Sequence, residues 1–220
     1  MDWEPQGPVP VFPLPGVVMF PHAEMHLHIF ELRYRTLVRD AISAERVIAL
    51  ATLSAGWEQD YHGSPPFHEL GCVARIEAVE WLPNDRYELR VRGLLRVHFG
   101  RVRREFPYRA CDVEPLIEAP YSETDPLAEV AREGLLSERT RLAPLGTEAW
   151  LSPPTVAESA TLAELTGVIG TSARLPAEDK LTLLAEDRVP ERARLLRELL
   201  RRVAAPAPTA PPPPPGLSAN

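Results

Sequence analysis

The chain has 220 residues, of which 45% are hydrophobic and 25% charged, a composition typical of a globular protein with one large core or two smaller ones. Its net charge of −7 argues against a nucleic-acid-binding protein, and no apolar run approaches the length of a membrane span. The acidic, proline-containing start MDWEPQGP is unlike a signal peptide, so we expect a cytoplasmic protein that does not bind membranes.

Residues 9–29 predict two strands separated by a turn. Pro13 and Pro15 place the first apolar run at an edge or an end of a sheet, because proline cannot donate to a β-ladder. Residues 26–29 alternate polar and apolar. This predicts that Leu27 and Ile29 face a core and that His26 and His28 face outward.

A helix should follow at once, because apolar residues from Tyr34 to Ile42 recur at helical spacing and Glu31 suits its N-terminus. We expect Phe20 and Ile29, which precede this helix in apolar runs, to lie in the interior of the β-structure. Alanine at either position should then leave a cavity that costs about 2–5 kcal/mol.

Residues 47–116 predict further strands. The run 47–53 is suited to a buried strand, and a hairpin joins residues 72–82 to residues 86–93 through the turn Pro83, Asn84, Asp85. The alternation continues to Phe99, with Arg96 predicted to face outward, and a last strand covers residues 108–116. Several short strands with one inserted helix suggest a small, partly closed barrel.

Large aromatic residues lie in or near a predicted long loop at residues 54–70. This loop carries Trp57, Tyr61 and Phe67, and Trp81 comes just before the hairpin turn. None of the four belongs to a periodic core stripe. They either fold back onto the barrel as a lid or form a peptide-binding surface, where rigid aromatic side chains are enriched.

From Asp125 the pattern changes to four helices of modest length. Asp125 followed by proline is typical of a helix start, Thr155 and Glu158 have the spacing of a capping box, and Pro176 and Pro190 mark further starts. We therefore predict an α+β protein with a β-barrel subdomain at residues 1–118 and a helical subdomain at 119–205. Residues 206–220 are proline-rich, which predicts a disordered or polyproline II tail.

The motifs of catalysis are missing from the sequence. It has no phosphate-binding loop, no G-x-S-x-G nucleophile elbow and no H-E-x-x-H zinc motif, so we predict no catalytic residues and no cofactor. His26 and His28 share a strand face, but no third ligand has convincing spacing to them, and we predict a solvated pair and no metal site. Cys72 and Cys111 lie in apolar runs and should be buried free thiols.

The stretch around the first predicted helix carries a family resemblance. Its matching residues are Phe12, Pro13, Leu14, Phe20, Pro21, Leu27, Ile29, Phe30, Glu31, Arg33, Tyr34 and Arg35, and looser matches extend over most of the chain. This pattern resembles the Lon substrate-binding domain, the N-terminal domain of Lon proteases, which also occurs as a standalone bacterial protein. One departure is Leu32, where the family often has proline at the first helical turn. The resemblance implies a PUA-like pseudo-barrel followed by a small helical bundle.

The resemblance also implies a function. The family domain is regarded as a reader of exposed hydrophobic segments in substrates, which favours a non-catalytic module that binds unfolded or partly unfolded polypeptides through Trp57, Tyr61, Phe67 and Trp81. The ATPase and peptidase residues of the full-length relatives lie in later domains, which we expect this chain to lack. An alternative is an adaptor that docks on a defined protein partner, such as a Lon-type protease. A third is a hydrolase with an unrecognised site.

Overall fold

The structure, a computed structural model, describes residues 3–61 and 63–203. Six strands in this part of the chain form one sheet: β1 Val9–Leu14, β2 Glu24–Ile29, β3 Val47–Leu53, β4 Phe67–Leu82, β5 Arg86–Arg104 and β6 Ala110–Pro115. The α-helices are α1 Leu32–Ser43, α2 Pro126–Leu142, α3 Leu162–Ser172, α4 Ala177–Ala185 and α5 Val189–Arg202. The predicted α+β class is confirmed.

The sheet closes into a ring. β3 pairs with β4 antiparallel and with β1 parallel, and β1 pairs in turn with β6. β5 is long enough to pair with β4, with β2 near its start and with β6 near its end. The hydrogen-bonded order β5, β4, β3, β1, β6 therefore returns to β5, and β2 is joined to the ring through β5.

The predicted alternation along β2 is confirmed. Leu27 and Ile29 are buried, and His26 and His28 are exposed. Ile29 packs in a cluster that joins the ring to the buried face of α1, formed by Tyr34, Leu37 and the residues that follow at helical spacing. The helix after β2 is thus inserted against the ring, as its sequence period predicts.

The second half of the described chain is helical, as predicted. Asp125 caps α2 by accepting a hydrogen bond from the Leu127 amide, and Pro176 and Pro190 lie at the starts of α4 and α5. The capping box predicted at Thr155 and Glu158 is wrong, because residues 151–160 form no helix. The capping box lies instead at Thr161 and Glu164, which exchange hydrogen bonds at the start of α3.

Phe20 does not lie inside the ring, and that prediction is wrong. Its side chain is fully buried in the cluster formed by the helices, together with Leu165 and Ile169 of α3. The Phe20 amide donates to the Thr171 hydroxyl at 3.0 Å. The segment between β1 and β2 therefore leaves the ring and anchors the helices.

Arg96 was predicted to face solvent, and it is buried instead. Its guanidinium donates to the backbone oxygens of Leu184 and Glu186, at 2.7 and 3.0 Å, and to the Asp187 carboxylate at 2.9 Å. Arg192 of α5, also buried, donates to the Glu186 oxygen and to Glu118 at 2.7 Å. The two arginines join β5 to the α4–α5 connection, which covers this face of the strand.

The division of the chain into subdomains 1–118 and 119–205 stays a prediction. The strands and α1 do fall before residue 116, and α2–α5 fall after residue 125. The predicted tail at residues 206–220 lies outside the described residues.

Glycine at position 167 is required by a close approach between α3 and the segment before β2. A Cβ atom at Gly167 would lie 2.0 Å from the Pro21 carbonyl oxygen, and one at Gly93 of β5 would lie 2.2 Å from the Phe20 carbonyl oxygen. Both obstructing atoms belong to the backbone, so neither can rotate away.

Gly167→Ala should destabilise the protein by about 2 kcal/mol or more, because the overpacking outweighs the usual gain of about 1 kcal/mol for alanine in a helix. Gly134→Ala in α2 is the matched control, since the three atoms nearest its Cβ all belong to the flexible Arg197 side chain. Denaturant unfolding compares the two. Equal stabilities would contradict the close approach.

Lys180 is buried in α4 and donates to the Thr171 carbonyl oxygen at 2.8 Å. Burial lowers its pKa to about 8, from an ordinary value of 10.5. Between about pH 8 and 10.5, Lys180 is therefore more often protonated in the unfolded chain than in the folded one. The contribution of Lys180 to the free energy of unfolding consequently increases as the pH rises through this range.

Relative to Lys180→Met, the parent protein should gain about 2 kcal/mol of stability between about pH 7.5 and about pH 10. Burial also raises the pKa of Cys72 to about 12, which makes stability fall as the pH rises. This effect is the same in both proteins, so the difference between their stabilities isolates Lys180. Urea unfolding across the pH series measures the difference. A constant difference would show that Lys180 keeps its ordinary pKa.

Candidate functional site

Two of the predicted aromatic residues lie together beside the start of α1. Trp57 opens a short 3-10 turn, Trp57–Asp60, and its ring meets the Tyr61 ring edge-on with 5.5 Å between centroids. Both side chains are half-buried. The Tyr61 hydroxyl donates to Glu31 at 2.6 Å, which ties the turn to the residue before α1.

Arg33 fastens this loop to α1. Its guanidinium donates to Glu31 at 3.0 Å and to the backbone oxygens of Tyr61 and Gly63, at 2.8 and 3.3 Å. The same cation lies over the rings of Tyr34 and Tyr61, 4.6 and 5.1 Å from their centroids. Burial of the phenol, and then its hydrogen bond to Glu31, raise the pKa of Tyr61. The loop is held folded against the protein by these contacts.

Phe67 is not a loop residue. The predicted loop 54–70 ends at residue 66, and Phe67 begins β4. Its ring packs edge-on against Phe99, with centroids 5.2 Å apart, and contacts the cluster inside the ring. The side chain is therefore largely structural, and only its neighbour Arg109, whose guanidinium lies 4.4 Å from the ring centroid, connects it to the surface described below.

Trp81 lies at the other end of β4 from Phe67. Its side chain is 67% exposed and meets Tyr87 of β5 edge-on, with 4.9 Å between centroids. A strand rises about 3.3 Å per residue, so the length of β4 separates Trp81 from Phe67. The structure thus brings Trp57 and Tyr61 together and places Phe67 and Trp81 elsewhere.

Three exposed apolar residues around the start of α1 and the β5–β6 connection escaped prediction as site residues. Phe30 and Leu32, on either side of Glu31 at the start of α1, are 59% and 66% exposed, and Phe106, between β5 and β6, is 75% exposed. Their signal in the sequence was weak but present. Phe30 follows Ile29 directly and so ends the polar–apolar alternation of β2.

These residues line two neighbouring clefts. The first, which we call the Phe30 cleft, has a volume of about 220 Å³ and includes Phe12, Phe30, Glu31 and Tyr61 in its walls. The second, the Phe106 cleft, has a volume of about 410 Å³ and is lined by Val11, Leu32, Arg33, Thr36, Gly63, Glu105, Phe106, Pro107, Tyr108 and Arg109. Pro13 and Tyr34 belong to both walls, so the clefts adjoin. Arg33 lines the Phe106 cleft and binds Glu31 and Tyr61, which line the Phe30 cleft.

The remaining polar candidates form no reactive group in the described part of the chain. His28 contacts Glu88 at 2.7 Å, and His26 lies 3.6 Å from Glu24. No three His, Cys, Asp or Glu residues are grouped to hold a metal ion within residues 3–61 and 63–203. The predicted buried free thiols are confirmed, and burial raises the pKa of Cys111 to about 11. No described helix is both long and apolar enough to span a bilayer.

Comparison with known proteins gives one consistent family. Residues 8–202 match the sequence model described as the ATP-dependent protease La (LON) substrate-binding domain. The chain is 26% identical to a Lon protease of Heliobacterium modesticaldum over 88% of its own length and 24% of the relative's. It is 28% identical to Lon protease 2 of Myxococcus xanthus over 88% and 23%, respectively. The chain therefore spans about a quarter of the length of these relatives.

Solved structures show the same fold. The N-terminal domain of a Mycobacterium avium complex Lon protease superposes with a TM-score of 0.65 at 19% identity, covering 89% of this chain and 99% of that one. A Lon N-terminal domain protein from Xanthomonas campestris gives a TM-score of 0.62 at 23% identity, covering 90% and 99%. At these identities the likeness establishes the fold.

The Arg33 contacts predict a selective change in loop mobility. Arg33→Met should raise amide hydrogen exchange at residues 57–61, because the loop loses its hydrogen bonds to α1. Arg35→Met is the matched control on the same helix, since Arg35 contacts Asn84 and Asp85 in the hairpin turn. Mass spectrometry of exchange should show the two variants loosening different loops. Unchanged exchange at residues 57–61 in Arg33→Met would refute the role of Arg33.

Proposed function

The chain belongs to the Lon substrate-binding domain family, and we propose that it is a non-catalytic module that binds unfolded or partly unfolded polypeptides. The observation that carries the proposal is the cluster of exposed apolar side chains around the Phe30 and Phe106 clefts. A surface of this kind, bordered by polar residues, is typical of a protein-binding site.

The arrangement suits an extended apolar segment. Phe30, Leu32 and Phe106 present apolar surface that is exposed in the free protein, and the clefts beside them offer pockets for individual side chains. Arg33 holds the loop in place before binding, which reduces the conformational entropy lost on association. Of the four aromatic residues predicted from sequence, the proposal keeps Trp57 and Tyr61 at the binding surface.

A second candidate is docking on a defined protein partner. Leu127 and Val130 of α2 are 73% and 59% exposed, and they line a cleft of about 350 Å³ with Arg194 and Arg197. This face is separate in sequence from the clefts around α1. An adaptor would use it without needing to recognise unfolded chains.

We place the protein in the cytoplasm. The two free, buried cysteines suit a reducing compartment. The absent catalytic motifs and the match to a substrate-binding domain support a role without chemistry of its own.

Trp57→Ala and Phe30→Ser should each weaken binding of reduced, carboxymethylated lactalbumin, a permanently unfolded client, by about tenfold. Both should melt close to the parent protein, because neither side chain is fully buried. Ile29→Ala is the contrasting variant, since its side chain is 2% exposed and its loss should cost about 2–5 kcal/mol.

Leu127→Ser is the matched control for binding, because it removes a similarly exposed apolar side chain from the helical face. Client titrations followed by fluorescence anisotropy compare the variants. Loss of binding in Leu127→Ser alone would move the client-binding surface to the helical face, and a parent protein that does not bind the client would favour the adaptor. A Trp57→Ala protein that melts as early as Ile29→Ala would show that the loop is a structural lid.

A further inference from the structure

β2 is an edge strand with one free side. It pairs with β5 alone, and its register runs from Glu24 to Ile29 without a shift. Within the described residues, no backbone or side-chain group outside this ladder hydrogen bonds to the backbone of residues 24–29. A regular edge of this kind is a template for a further strand, because its outward-facing NH and CO groups lack partners.

The start of the ladder shows which backbone groups of β2 point outward. The Gly93 amide donates to the Ala23 oxygen at 2.9 Å, one residue before β2 begins. Hydrogen-bonded pairs alternate along an antiparallel ladder, so every second residue from Met25 bonds to β5. The NH and CO groups that point away from β5 therefore belong to Glu24, His26 and His28.

The free edge of β2 ends at the Phe30 cleft. His28 and Ile29 line that cleft together with Leu14 of β1. The exposed Phe30 ring stacks on the His28 ring, with 5.9 Å between centroids. A strand added to this edge would continue the sheet beyond β2 and bring one of its side chains to the cleft.

A second free edge, on β4, is less suited to pairing. Residues 77–82 of β4 also pair on one side only, with β5. The register shifts between Ile76 and Ala78, where this edge begins, and irregular edges resist further pairing. None of residues 77–82 lines the Phe30 or the Phe106 cleft. The regular edge beside the proposed binding surface is that of β2.

We propose that an extended segment of an unfolded polypeptide adds to the outer edge of β2 as a further strand, with one apolar side chain in the Phe30 cleft. This inference rests on the proposed function and states how the backbone of the client is held. Backbone hydrogen bonds supply affinity for many sequences, and the cleft selects segments with alternating apolar residues. The six residues of β2 span about 20 Å, enough for a client strand of similar length.

An unfolded client suits this edge better than a second copy of the chain. An unfolded segment can both pair with β2 and place an apolar side chain in the cleft. The β2 strand of a second copy would bring the same free edge, but its apolar side chains Leu27 and Ile29 are buried in its own core. They could not enter the cleft of the first copy.

The first test uses fluorescein-labelled peptides of about eight residues in which leucine and threonine alternate. One form is unmodified, a second is N-methylated at its leucines and a third at its threonines. A strand turns only alternate amides towards one neighbour, so one methylated form should bind the parent protein about tenfold or more weakly than the other. Equal affinities of the two methylated forms would overturn strand addition. This comparison does not depend on the folding of any variant.

His26→Pro tests the edge itself. It removes an amide that has no partner in the folded protein, so the variant should melt close to the parent, while its ring obstructs an added strand. It should bind the unmodified peptide about tenfold or more weakly than the parent does. Trp81→Pro is the matched control, because the same alternation turns the Trp81 amide away from β5 on the outer edge of β4. This control should bind the peptide as the parent does.

Parent-like binding by His26→Pro would contradict the proposal. A parent protein that sediments as a dimer, with a monomeric His26→Pro variant, would assign the edge to a second copy and overturn the client as its occupant. Carboxymethylated lactalbumin separates this inference from the proposed function. If it binds while the two methylated peptides bind alike, only strand addition fails, and if neither lactalbumin nor any peptide binds, the proposed function fails as well.

Discussion

The close approach of the Phe20–Pro21 backbone to Gly93 and Gly167 is the constraint on which the rest of the structure depends. Two carbonyl oxygens occupy space that a Cβ atom would need, so β5 and α3 are brought against the same short segment. The buried Arg96 adds hydrogen bonds from β5 to the connection before α5. The glycine contacts and the Arg96 hydrogen bonds together fix the position of the helices against the ring. The same segment then runs directly into β2 and α1, so the stretch that anchors the helices also builds the walls of both clefts.

Much of the fold follows from local pattern. The bounds of β1 and β3 agree with their apolar runs, and the starts of α2, α4 and α5 follow from proline and cap chemistry. The errors at Arg96 and Phe20 share one physical cause, which is that local pattern does not say what covers a face. Arg96 alternates with apolar residues and so resembles a solvated position, but the helices cover it. Phe20 sits in an apolar run whose sequence gives no sign of which core it enters.

The candidate site was predictable only in part. Trp57 and Tyr61 were found because large aromatic residues in a polar loop need either a packing partner or a ligand. Phe30, Leu32 and Phe106 were not, because exposure of an apolar side chain is decided by distant parts of the chain. Arg33 also looked like an ordinary helical arginine, and its hydrogen bonds to Tyr61 and Gly63 depend on a loop about thirty residues away.

The central claim is that unfolded polypeptides bind at the clefts around the start of α1. The most direct measurement is amide hydrogen exchange of the whole protein with and without saturating carboxymethylated lactalbumin, followed across every described strand and helix. The account predicts added protection at residues 30–36, 57–61 and 104–109, with no change at residues 127–131 of α2. Protection confined to residues 127–131, or no change anywhere while the client is bound, would contradict it.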